Sequence, residues 1–182
     1  MRLTVPDLSD EVIVLRPPEL ADVDAITAAC QDPDIPRFTR VPSPYARENG
    51  VEHVMKTARG WREGTEAVFV INDAETGSLL GSIGLMRLSE GPNVAEIGYW
   101  VEKSARRRGI ATRAVKLVAH WGALDLGIQR IELMTRVENV PSQGVAARAG
   151  FTREGLLRSY TTIGCGVTDV VMFSLLPSDL TS

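Results

Sequence analysis

Residues 94–123 constrain the fold more than any other stretch, because a strand, a tight turn and an amphipathic helix follow one another there without a break. "VAEIGYWVE" (94–102) is rich in β-branched and aromatic residues and reads as a strand. Ile110, Ala114, Leu117, Val118 and Trp121 then recur at helical spacing, which predicts a helix over 109–123 with one buried stripe. Arg106-Arg107-Arg108-Gly109-Ile110-Ala111-Thr112 joins the two.

The rest of the chain builds around that unit. "VIVLRP" (12–17) reads as a strand ended by Pro17 and Pro18, and 19–30 carries Leu20, Val23, Ile26 and Cys30 at helical spacing. "DPDIPRFTRVPSPY" (32–45) reads as proline-broken loop, followed by a helix over 46–62 that stops near Gly60 or Trp61. Strands at 66–73 and 78–88 form a hairpin about "ETG" (75–77), and "GPN" (91–93) makes the turn into 94–102. A strand over 130–137, a short helix from Pro141 to Ala149 stopped by Gly150, and a final hairpin of two strands complete the order. The expected class is α/β (α+β), one domain over 1–182, a length that holds a full core.

The turn at 106–112 has chemistry of its own. The first N–H groups of a helix lack partners inside it, and the helix dipole adds partial positive charge there. A phosphate satisfies both. Gly109 lets backbone approach the anion, Ala111 stays out of the way, Thr112 adds a hydroxyl, and the arginines add attraction. A di- or polyphosphate is the expected ligand, against the plain alternative of a solvated charged face. The segment has neither the G-x-x-x-x-G-K-[ST] of a nucleoside triphosphatase nor a G-x-G-x-x-G.

Charge makes the same point. Six Lys/Arg and no acid lie between Lys103 and Leu124, so the remaining 14 bases face 23 acids in a chain of net charge −3. Such a balance argues against a general nucleic-acid binder. No run reaches the roughly 20 apolar residues of a membrane span, and no secretory leader is evident. Cys30 and Cys165 read as free thiols of a reducing compartment, with one bridge as the alternative, so a cytoplasmic setting is expected. His53 and His120 carry no role, and no metal site is expected.

"AEIGYWV" followed by "RRRGIATRAV" resembles the core of the GNAT superfamily of acyl-CoA-dependent N-acetyltransferases, whose pyrophosphate motif [QR]-x-x-G-x-[GA] is matched by Arg106, Gly109 and Ala111. Asn139-x-x-Ser142, Gly150-Phe151 and Glu154-Gly155 are similar to the Rim-type (RimJ/RimL-like) branch that acetylates ribosomal-protein N-termini. The resemblance implies the GNAT fold: a mixed, mostly antiparallel sheet of about seven strands, flanked by helices and splayed between 94–102 and 130–137. It implies acetyl-CoA as cosubstrate, with its diphosphate on the backbone of Arg107, Arg108, Gly109, Ile110, Ala111 and Thr112 beside Arg106. The backbone around Trp100 and Val101 would hold the pantetheine arm, and Asn139 would bond it from the other side.

The same resemblance implies the catalytic candidates. Glu96, on the strand bordering the thioester, is the expected base, directly or through water; a salt-bridged or solvent-facing carboxylate is the alternative. The family's usual acid, a tyrosine on the short helix, is replaced by Ala146, and the Rim-type glutamate after Gly-Phe by Thr161. Ser142 is left to hydrogen-bond the leaving sulfur, unless it only bonds local backbone. Tyr160 and Asp169 fall where the family builds its acceptor site, with Trp61, Tyr99 and Trp100 as walls or as core. The expected reaction is acetyl transfer to a primary amine, a protein N-terminus or a small amine, by direct attack in a ternary complex. The alternatives are a non-catalytic acyl-CoA-binding module and a site for another phosphorylated ligand. Loops 31–45 and 157–168 are expected to set acceptor preference, and a homodimer is the commonest assembly for such a chain.

Overall fold

The β-branched and alternating apolar runs form one eight-stranded sheet in the order β1-β2-β3-β4-β5-β6-β8-β7, in a computed structural model that describes residues 3–90, 94–163 and 166–180. The strands are β1 (Leu8–Ser9), β2 (Ile13–Arg16), β3 (Ala67–Asp73), β4 (Leu79–Met86), β5 (Val94–Val101), β6 (Arg130–Arg136), β7 (Thr152–Ile163) and β8 (Gly166–Leu175). The helices are α1 (Val23–Ala29), α2 (Asp34–Phe38), α3 (Arg47–Glu63), α4 (Ile110–Leu124) and α5 (Val140–Arg148). Every described pairing is antiparallel except β5 with β6, the pair that α4 connects. The sheet therefore has eight strands rather than about seven; the extra one, β1, is two residues long and pairs with β2.

Each face of the sheet has its own core. Ala95 and Ile97 of β5, with Tyr99 and Val101 at the margin, pack with Ile110, Ala114, Val118 and Trp121 of α4. Trp100 points the other way, into a smaller cluster with Val23, Ile26, Ile35 and Val54 from α1, α2 and α3. This is the period-two alternation of a strand covered on both sides. Trp61 belongs to the first core: it sits edge-on to Phe69 at 5.1 Å, and its indole N–H donates to the Val68 carbonyl. It walls no acceptor site.

The decisive feature lies between β5 and β6. They pair only at Val94/Arg130, Ala95/Ile131 and Glu96/Glu132. Beyond that point β5 stays with β4 as far as Val101/Gly81, while β6 stays with β8 as far as Arg136/Val170. The sheet forks at Glu96. On the β6 side, Arg130 donates to both oxygens of Glu154 at 2.7 and 2.6 Å, and Ser174 adds a third bond to that carboxylate. Arg130, with Ser174 behind it, holds the Glu154 carboxyl down to about 2. The Glu of the Glu-Gly pair thus ties β6, β7 and β8 together.

Two elements differ from the sequence reading for local reasons. The proline-rich stretch contains α2, because Pro33 precedes it and Pro36 lies in its first turn, where a missing N–H removes no helical bond. Helix α3 passes Gly60 and stops at Gly64, which adopts φ 72 and donates to the Gly60 carbonyl. The expected turn at 91–93 and Cys165 lie outside the described residues. Cys30 is a buried free thiol pushed up to about 12 by burial, so it is unreactive. No helix among the described residues is long and apolar enough to cross a membrane.

Candidate active site

The fork leaves one edge of β5 without a partner strand. Glu102 N–H donates to Leu80 O at 2.8 Å, and the β4/β5 register continues unbroken from there. Peptide groups alternate along a strand, so those of residues 96, 98 and 100 face β4. Those of Ile97, Tyr99 and Val101 face the opening. Trp100 is therefore corrected as a backbone contact: its peptide belongs to the β4 ladder and its side chain to the α1–α3 core. Tyr99 and Val101 hold the positions from which a ligand's amide groups can be paired. The Val101 carbonyl already accepts from Arg106 Nε at 3.1 Å, which closes the ladder at its open end.

The turn that follows is shaped for an anion. Arg107 and Gly109 both adopt left-handed backbone, at φ 63 and φ 78. Such conformations near a helix start turn successive N–H groups into one concavity. A non-glycine residue there costs about 1–3 kcal/mol, a strain that tends to persist at functional sites. Gly109 is the N-cap of α4 and offers no side-chain cap to its first N–H groups. A Cβ built on Gly109 would meet no protein atom within 4 Å, so the space above the turn is open. From Gly109 and Thr112 a groove of about 720 Å³ runs along α4 past Arg113, Lys116 and His120 to Arg148 of α5.

The three arginines are not equivalent. Arg106 turns away from the helix mouth and pairs with Asp32 and Asp34 beside and within α2. Arg108 lies 3.6 Å from Asp73, whereas Arg107 is exposed and has no ion pair among the described residues. Arg106 thus braces the turn, and Arg107 is the cation left for an anion there.

The two faces of the fork carry different chemistry. On the α1–α3 face, Glu96 is 9% exposed and accepts from Arg40 Nη1 at 2.7 Å, so the carboxylate is ion-paired by a residue from the loop after α2. Gly98 and Trp100 share that face, and the side chain of Met86 from β4 fills the space beside Gly98, its Cε 3.0 Å from where a Cβ would stand. On the α4 face, Tyr99 and Ser142 bring their hydroxyls to 2.8 Å. Burial pushes the Tyr99 phenol up to about 12, against a smaller downward pull from Ser142. Asn139 is the N-cap of α5, and its Oδ1 accepts from Ser142 N–H at 3.3 Å. Its amide nitrogen keeps two hydrogens for another partner. Ala146 lies four residues beyond Ser142, on the same side of α5, and is fully buried.

Glu96 thus stands at the fork on the α1–α3 face, Val101 at the end of β5, and Asn139 and Ser142 at the start of α5, while Gly109, Ile110, Ala111 and Thr112 form the turn into α4; of these, Gly109 and Thr112 line the groove along α4. Thr161 and Tyr160 lie farther out on β7; Thr161 pairs with Thr168, and Tyr160 is half exposed. Asp169 of β8 accepts from Ser159 N–H. The sequence reading had missed Arg40, which no motif marks, and the Tyr99–Ser142 pair. Tyr99 was foreseeable from alternation alone, since three residues from Glu96 puts it on the opposite face. Among the described residues no group of three His, Cys, Asp or Glu stands together to hold a metal.

The unpaired edge and the uncapped helix suit a pantetheine arm and a diphosphate, and comparison with known proteins points to the same ligand. Residues 13–152, more than half of the chain, match the family described as "Acetyltransferase (GNAT) domain". The uncharacterized N-acetyltransferase p20 of Bacillus licheniformis is 30% identical over 170 residues, 93% of this chain and 95% of that protein. The ribosomal-protein-serine acetyltransferase of Escherichia coli is 30% identical over 127 residues, 68% of this chain and 70% of that one. Mycobacterium smegmatis RimJ, solved in complex with CoA-disulfide, superposes with a TM-score of 0.86 at 25% identity, covering 98% of this chain and 89% of that one. With the forked sheet and the glycine-led helix mouth already in place, the chain belongs to the GNAT family of N-acetyltransferases, enzymes whose acetyl donor is acetyl-CoA.

Proposed function

We propose that the chain transfers the acetyl group of acetyl-CoA to a primary amine, with both reactants held together in the fork between β5 and β6. The observation that carries this reading is the loss of β5–β6 pairing after Glu96, on the strand that leads into the uncapped mouth of α4. The diphosphate rests on the N–H groups of residues 107–112, with Arg107 and Thr112 beside it. The arm pairs with the peptide edge of Tyr99 and Val101 and with the Asn139 amide. Its nucleotide end has room along Arg113, Lys116 and Arg148.

This arrangement places the thioester between two faces. The amine enters from the α1–α3 face and meets Glu96, which takes its surplus proton. The sulfur lies toward α5, where Ser142 donates a hydrogen bond to it. Arg40 holds the Glu96 carboxylate at 2.7 Å and moves aside as the cationic amine arrives. Likeness to the E. coli ribosomal-protein-serine acetyltransferase favours a protein N-terminal amine as acceptor, and small amines are the second class to assay.

Glu96→Gln tests the assignment. Turnover measured by thiol release, with N-terminal peptides and small amines as acceptors, should fall about 10²-fold or more, the scale of a lost general base. The dissociation constant for CoA should stay within about twofold, because Glu96 lies across the sheet from α4. Undiminished turnover removes Glu96 from the role.

A further inference from the structure

We propose that Tyr99 is a positioning residue for the leaving sulfur and acts through the hydroxyl of Ser142. This deepens the reading above and rests on its placement of Ser142 at the thioester sulfur.

The geometry is specific. A serine in the first turn of a helix ordinarily bonds its own backbone. Here Asn139 already caps α5, and the Ser142 hydroxyl is engaged by Tyr99 at 2.8 Å. Among the described residues this is the one hydrogen bond of either hydroxyl. Two hydroxyls bring two hydrogens, and their contact uses one. A phenol is a far better donor than an aliphatic alcohol, so Tyr99 gives and Ser142 receives. The Ser142 hydrogen is then free and cannot be drawn back to local backbone. Linked hydroxyls polarise one another, which strengthens the outgoing bond.

The pair also accounts for Ala146. Ser142 and Ala146 stand one turn apart on the same side of α5, so this helix presents a hydroxyl but no phenol to the fork. The phenol comes from the strand instead. Its burial keeps it protonated across the neutral range, which suits a steady donor and not a proton source. During transfer the amine nitrogen forms its bond to the acetyl carbon and the C–S bond breaks, leaving its electron pair on sulfur. Ser142 hydrogen-bonds that thiolate, Tyr99 holds Ser142, and neither hydroxyl loses its proton. The cationic amine gives up two protons through Glu96 to solvent, one before attack and one from the adduct, and the released thiolate takes one from water.

CoA itself is the probe, because the ultraviolet absorbance of its thiolate can be titrated in the complex. A donor aimed at sulfur lowers the pH at which the bound thiol ionises. With the full chain unaltered, that midpoint should lie about one pH unit below its value on Tyr99→Phe and on Ser142→Ala, a tenfold effect. The double variant should match the single ones, since both remove one device. Ser142→Thr should restore most of the difference, and kcat should follow the same order with the KM for acetyl-CoA nearly constant. One midpoint shared by all the proteins, or losses in kcat that multiply in the double variant, would overturn the pair. Absence of CoA binding to the unaltered chain would overturn the cosubstrate site beneath it, a distinct result.

Discussion

Gly109 shows how a single position serves fold and ligand at once. Its φ of 78 is open to glycine and uncomfortable for other residues, while the space its Cβ would fill holds no protein atom. An alanine there should therefore cost the fold only about 1–2 kcal/mol, the left-handed penalty. Any further loss must come from what occupies the space. Gly109→Ala is expected to lower the melting temperature by a few degrees and to weaken CoA binding at least about tenfold by calorimetry. A lower melting temperature with unchanged affinity would show that no ligand approaches this backbone. The turn at Gly109 was legible because a strand end and a helix start meet there, whereas Glu96, Asn139 and Ser142 became candidates only through the family resemblance. Arg40 was not, since an arginine in a loop acquires its partner 56 residues away only through tertiary packing. Trp100 was placed one residue off for a related reason: strand parity depends on the β4 register, which no local pattern encodes.

Among the elements, α2 and the turn before α4 are joined by one side chain. Arg106 links the Val101 carbonyl, at the end of the open edge, to Asp32 and Asp34 beside and within α2. An arginine read from the sequence as one of three phosphate attractors is held by two carboxylates and braces the turn against α2. Arg106→Ala should quicken amide exchange in residues 34–38 and weaken CoA binding less than Arg107→Ala does. The reverse ranking would return Arg106 to the phosphate. The helix it braces was hidden in the sequence by proline, although prolines before a helix and in its first turn fit well. Most other elements were legible to within a residue or two, because their apolar periods run long enough to separate strand from helix. The two-residue strand β1 has no period to read.

Over the whole molecule, the sheet is two sub-sheets that share three residue pairs, with a separate core on each face. The family and its forked sheet were foreseeable from motifs in order along the chain, and the acidic remainder outside 103–124 already isolated the cationic mouth. The relation between the faces was not, because it depends on which face each β5 side chain occupies. Glu96 lies on one face and the Tyr99–Ser142 pair on the other, so the proposed reaction has proton removal and sulfur stabilisation on opposite sides of one thioester. All of this requires acetyl-CoA to lie in the fork and against the mouth of α4. Hydrogen–deuterium exchange with and without CoA measures that directly. The account predicts slower exchange at residues 97–101 and 107–112 together, with 67–73 of β3 unchanged as an internal reference. Protection confined elsewhere, or none at either segment at saturating CoA, would contradict it.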